Sequence, residues 1–116
     1  MAVLKFEELL VWKKSQDLAV EIYAHFQENK DFSFRDQIKR AAVSISNNIA
    51  EGFDRNSNAD FKRFLYFSLS SNSEVRSMLY LSVRLNYINE NKANNLIENT
   101  NEISKMLRGL IKSIKD

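Results

Sequence analysis

Across 116 residues the chain carries two glycines and no proline. Tight turns and β-hairpins depend on those residues for positive or preset φ, so their scarcity confines the chain to long helices joined by Asn, Ser and Asp loops. Apolar residues make up 44% and charged residues 28%, a balance that excludes a disordered chain. The length suffices for a core without metal or disulfide support. The expectation is one all-α domain over residues 1–116.

Apolar spacing divides this domain into four segments. Leu9, Trp12, Gln16, Ala19, Tyr23 and Phe26 alternate steps of three and four along a first helix, with Val11, Leu18 and Ile22 widening the face. That helix should end near "NKDFS", where Asn29, Asp31 and Ser33 offer loop and cap chemistry. A second begins near Ser33 and carries Phe34, Ile38, Ala41, Ala42, Ile45, Ile49 and Phe53, stopping between Gly52 and Asn56.

Ser57 or Asn58 caps a third helix that runs unbroken to about Tyr87, roughly 42 Å at the usual rise. It has two apolar stripes. Phe61, Phe64, Leu65, Ser68, Val75 and Leu79 form one; Phe67, Met78, Leu81 and Leu85 form another, turned away from the first. A helix apolar on two sides calls for two partners. In the fourth, Ala93, Leu96, Thr100, Ile103, Leu107, Leu110 and Ile114 keep a strict 3-4 seam, with Gly109 off it. Four helices with short loops predict an antiparallel up-down four-helix bundle.

The chain has no cysteine, so disulfides and thiolate metal sites are excluded. No window approaches the ~18 apolar residues of a membrane span. The opening "MAVLKFEELLVWKK" is unlike a secretory signal, which makes a cytoplasmic protein the expectation. The net charge of +2 is small but uneven. Six cations face four acids over residues 33–63, and four face one over residues 103–116.

Two polar patterns stand out. Gln37, Arg40, Ser44, Asn48, Glu51 and Arg55 form a band beside the apolar stripe of the second helix. A band there borders a packing interface: Arg40 can fork onto a carboxylate, Asn48 can bridge backbones, and Glu51 with Arg55 makes an i,i+4 pair. It is either a helix or subunit interface or a ligand site. The second pattern is Lys105, Arg108, Lys112 and Lys115, placed opposite the seam of the fourth helix. Exposed and of one sign, it suits nucleic-acid phosphates, or else a solvated helix back. No aromatic interleaves it to stack on bases, so its contacts are expected to be with phosphates.

Ser68, Ser70, Ser71 and Ser73 have no base or glycine elbow to activate them, and read as small residues for close helix approach. His25, the one histidine, reads as a surface or half-buried side chain. No ExxH or paired-carboxylate pattern suggests a di-metal site, and no glycine loop cradles phosphate. The chain is therefore expected to be no enzyme and to use no cofactor.

Taken together, "FEELLVWKKSQDLA", "QIKRAAVSISNNIAEGFDR", "FKRFLYFSLSSNSEV" and "LNYI" resemble the four-helix-bundle proteins encoded in intervening sequences of bacterial 23S ribosomal RNA genes, once labelled a ribosomal protein. The resemblance departs where that family often has Pro at Ser46 and a Gly-Ser pair at Ser70-Ser71; serine for glycine there would open the packing of the third helix slightly. It implies a homopentameric ring without enzymatic activity. A related branch, the accessory proteins of diversity-generating retroelements, forms basic rings that bind nucleic acid and a reverse transcriptase. The implied partners are further copies of the chain, RNA or DNA, and a protein partner, with no membrane. The leading functional expectation is nucleic-acid binding, and the alternative is a protein-interaction scaffold. In such a ring the polar band of the second helix would set register through hydrogen bonds.

Overall fold

Side-chain caps set where three of the four helices begin. Asp31 Oδ1 accepts the Phe34 N–H at 3.2 Å, Ser57 Oγ the Asp60 N–H at 3.1 Å, and Asn89 Oδ1 the Lys92 N–H at 2.8 Å. The computed structural model describes residues 3–115, so the first two residues and the last of the expected domain lie outside the described residues. After a short 3-10 turn at Phe6–Glu8, the chain forms α1 (Leu10–Phe26), α2 (Phe32–Phe53), α3 (Asn58–Arg84) and α4 (Glu90–Ser113). The second helix starts just before the expected Ser33, because Asp31 takes the cap. No helix among the described residues is long and apolar enough to cross a membrane.

The third helix stops at Arg84 rather than near Tyr87, and the stop needs no glycine. Asn86 adopts φ 61°, the left-handed conformation that asparagine tolerates. Its N–H bonds Val83 O, and the Tyr87 N–H bonds Ser82 O at 2.8 Å, the paired closure that ends many helices.

Cross-helix contacts give the topology. Gln16 meets Ser46 and Phe26 meets Phe34; Ser44 meets Ser71 and Gln37 meets Glu74; Asn72 meets Thr100 and Asn58 meets Lys115. In each pair of neighbours, a step forward on one helix is matched by a step back on the other. Lys14 pairs with Glu102 and closes the ring of helices between α1 and α4, which the three antiparallel steps leave running in opposite directions. These four antiparallel neighbours form an all-α four-helix bundle. Among the described residues the diagonal helices make no backbone-level approach.

The buried residues differ from the expected faces in two ways. In α1 they are Val11, Ser15, Leu18, Ile22 and Phe26, while Gln16 and Tyr23 are exposed. The core lies between α2 and α4, and the expected face has turned toward α2, where Gln16 reaches Ser46 and Lys39 lies over the Tyr23 ring. In α4, Ile97 and Ile111 join the core, whereas Leu110 and Ile114 are only half-buried. A strict seam drifts about 20° per heptad on a straight helix, so the last turn presents a different residue.

Two buried polar side chains tie α3 to its neighbours. Ser68 Oγ donates to Ile45 O of α2, and Asn72 Nδ2 donates to Thr100 O of α4, both at 2.8 Å. Asn72 Oδ1 is buried without a partner among the described residues. The hydroxyls of Ser15, Ser82 and Thr100 are satisfied by carbonyls of their own helices. Ser70 faces out, so the serine at that position opens no packing, while Ser71 donates to Ser44 Oγ.

At the C-terminal end of α2, Gly52 lets this helix touch α3. A Cβ there would meet Phe64 Cβ at 2.5 Å and the Phe61 backbone at 3.3 Å. Neither neighbour can swing aside. Gly52→Ala is expected to cost about 1–3 kcal/mol through overpacking, read as a lower urea midpoint with an unchanged m-value.

At the other end, the Tyr87 hydroxyl donates to Asp31 Oδ2 at 2.6 Å and joins two loops. That bond, with the Phe34 N–H, holds the Asp31 carboxyl below its ordinary 3.8. The same bond holds the Tyr87 phenol above 10.0. The carboxyl's contribution is therefore complete above pH 3.8 and lost as pH falls through its folded value. The phenol's is complete below pH 10.0 and lost as pH rises through its folded value. The stability gap between wild type and Tyr87→Phe, from urea unfolding, should be constant between those limits and narrow beyond each.

Candidate nucleic-acid interface and polar face

The rotation of α4 that buries Ile111 also re-aims its cations. Lys105, Arg108, Lys112 and Lys115 are all exposed; the first three lean toward α3 instead of pointing straight away from the core, while Lys115 lies beyond the end of α4 and lines neither depression described below. Arg108 and Lys112 line a depression of about 430 Å³ together with Ile111 and with Lys62 and Tyr66 of α3. Arg108 and Lys105 border a second, of about 500 Å³, with Arg76, Asn101, Ser104, Glu98 and Glu102. Arg108 lines both, so the two adjoin as a grooved surface along α3 and α4.

Local bonds shape this groove. Arg76 Nη1 donates to Asn101 Oδ1 at 3.1 Å, which holds the guanidinium against α4. Asn58 Nδ2 donates to the backbone carbonyl of Lys115 at 2.8 Å and ties the end of α4 to the start of α3, using no part of the Lys115 ammonium. The acids sit at one end, where Glu102 is drawn toward Lys14 of α1.

Tyr66 corrects the sequence reading that no aromatic accompanies the stripe. It comes from α3, is 53% exposed, and lines the same depression as cations of both helices. Arg76 was missed for the same reason. Lys62, Tyr66 and Arg76 share a flank of α3, but only the antiparallel pairing with α4 reveals that this flank meets the basic stripe.

The polar band of α2 faces the opposite flank of α3. Gln37 Nε2 donates to Glu74 Oε2 at 3.1 Å, and Ser71 Oγ donates to Ser44 Oγ at 3.0 Å. Asn48 Nδ2 bonds Ser44 O and Ser44 Oγ, both within its own helix, instead of bridging two backbones. Arg40 and Glu51 are exposed; Arg40 borders a shallow depression with Tyr23, Asp36 and Asn47. The i,i+4 geometry expected for Glu51 and Arg55 is lost because α2 ends at Phe53. Arg55 lies in the following turn, its guanidinium 4.6 Å from the Phe64 ring centroid.

Beside this band, Phe67 and Leu81 are 44% exposed and Leu85 43%, so three members of the second α3 stripe are uncovered; Met78 is buried. The two stripes that look unrelated in the sequence make one mixed face.

Other candidate groups are spent on structure or stand apart. Ser68 is bonded to Ile45 O, and Ser73 is exposed. His25 Nε2 lies 3.4 Å from Glu21 Oε2 in a groove of about 720 Å³ between α1 and α4. Among the described residues, no three His, Asp or Glu side chains group to hold a metal.

Four antiparallel helices around one filled core place the chain in the class of small all-α four-helix bundles. The model of the 23S rRNA-intervening sequence protein family matches residues 7–109, and the chain belongs to that family. A crystal structure of a protein of unknown function from the S23 ribosomal protein family of Bacteroides thetaiotaomicron VPI-5482 is similar, with a TM-score of 0.83 and 33% identity. The likeness covers 90% of this chain and 100% of that one. No curated protein matches the sequence.

Proposed function

We propose that this protein is a non-enzymatic cytoplasmic bundle that assembles with copies of itself and binds RNA or DNA through the α3–α4 groove. One observation carries the reading: Arg76, Lys105, Arg108 and Lys112 converge from two helices on this grooved surface. One subunit presents few cations, so its contact with a polyanion is weak and sensitive to salt. Repeated around the five-membered ring that the family resemblance implies, the groove becomes a band, and several weak contacts act together.

The assembly half rests on the mixed α2–α3 face. Phe67, Leu81 and Leu85 lie exposed along one flank, and water-exposed apolar side chains in a row favour burial against a partner. The adjoining Gln37–Glu74 and Ser44–Ser71 bonds supply fixed polar groups that give such a contact a register. The alternative is a protein-interaction scaffold, as in the retroelement accessory branch with its reverse transcriptase. It is favoured by the same apolar stripe, which a foreign helix would cover as readily as another copy.

Light scattering at micromolar concentration is expected to give an oligomer, and Leu81→Glu a folded monomer. A wild type that stays monomeric would transfer the stripe to a foreign partner. Lys112→Glu combined with Lys115→Glu is expected to abolish binding to RNA and DNA in low salt without changing the circular dichroism or the oligomer. The wild-type affinity should fall steeply as salt rises and vary little with sequence.

A further inference from the structure

The groove contains one side chain that phosphate binding does not need. Tyr66 is 53% exposed and lines the same depression as Arg108 and Lys112. Nearby aromatics are already engaged: Phe53 packs edge-on against Phe61, Phe64 against Phe67, and Arg55 and Arg63 cover the Phe64 ring. Among the described residues Tyr66 takes part in none of these ring or cation contacts. Its ring is open to a flat partner, with two cations of α4 close by.

We infer that the groove, on the nucleic-acid reading above, selects single strands over duplexes by stacking an unpaired base on Tyr66 while Arg108 and Lys112 hold neighbouring phosphates. The physical contrast is direct. A duplex carries the denser charge, one per about 1.7 Å of axis, so a groove that meets phosphates alone holds it at least as well as a single strand. Paired bases, however, are stacked on one another and offer no face to a surface ring. Unpaired bases do, and every base has such a face, so stacking adds affinity without sequence preference. An exposed aromatic amid cations therefore reverses the order that charge alone would set.

Fluorescence anisotropy in low salt would test this with oligo-dT, oligo-U, a duplex of the same length and an abasic strand that keeps the phosphates. The wild type should hold both homopolymers more tightly than the duplex or the abasic strand. Tyr66→Ala should weaken single-strand binding about 5- to 150-fold, close to the abasic level. Tyr66→Phe should keep most of the affinity, and thermal melts should show both variants folded. Lys112→Glu should weaken the single strand and the duplex together. If the wild type binds the abasic strand as well as oligo-dT, or if Tyr66→Ala loses nothing, the stacking inference is overturned and the phosphate reading stands. If no probe binds at all, both fall.

Discussion

The close approach of α2 to α3 is the constraint on which the remaining geometry rests. Gly52 leaves no room for a side chain against Phe64, and Ala41 and Ala42 are buried further up the same helix. Ser68 reaches the Ile45 carbonyl across the gap. With α2 fixed in this way, α3 cannot rotate without driving a side chain into the backbone of its neighbour. That fixed rotation decides which flank of α3 stands beside the polar band of α2 and which stands beside α4. Register here comes from steric exclusion and from the hydrogen bonds of Ser68, Ser71 and Gln37 across the same pair, because apolar contact alone is indifferent to direction.

The third helix consequently serves three surroundings. Its inner stripe fills the core, and Ser68 and Asn72 bond outward from that stripe to both neighbours. One flank, with Phe67, Leu81 and Leu85, stays partly uncovered beside hydrogen-bonded polar groups. The other joins α4 to make the basic groove. On the proposed function, self-association and polyanion binding would occupy different flanks of one helix, so that assembly through the first would leave the second open. Polar surface, apolar surface and charge are separated by less than a turn of rotation, which is why the precision of the Gly52 contact matters beyond stability.

Charge placement follows the same logic. A net charge of +2 would not distinguish this chain from many globular proteins. What distinguishes it is position. Lys105, Arg108 and Lys112 lie in the second half of the fourth helix, with Lys112 in its last turn where a cation suits the negative end of the dipole, and the antiparallel pairing sets Arg76 against the same groove. Glu102, the acid nearest that groove with a cation of its own, is paired with Lys14 on the side of α1.

Much of the fold was legible in order along the chain. The near absence of glycine and proline implied helices, the 3-4 spacing marked four of them, and Ser57 announced a cap that the structure contains. Such features are local: they depend on the turn of one helix and the reach of one side chain. Family membership was legible too, in strings such as "QIKRAAVSISNNIAEGFDR". The misses share a different cause. Gln16 and Tyr23 turned toward α2, Ile111 replaced Leu110, and Tyr66 joined a stripe on another helix, because each depends on the rotation of one helix against its neighbours. Sequence periodicity defines a face to within its own width, and a helix with two neighbours can settle anywhere in that width. The sequence by itself therefore determined the helices, their count and their charges. Only tertiary packing, through contacts a few ångströms wide such as Gly52 on Phe64, decided which side chains meet across them.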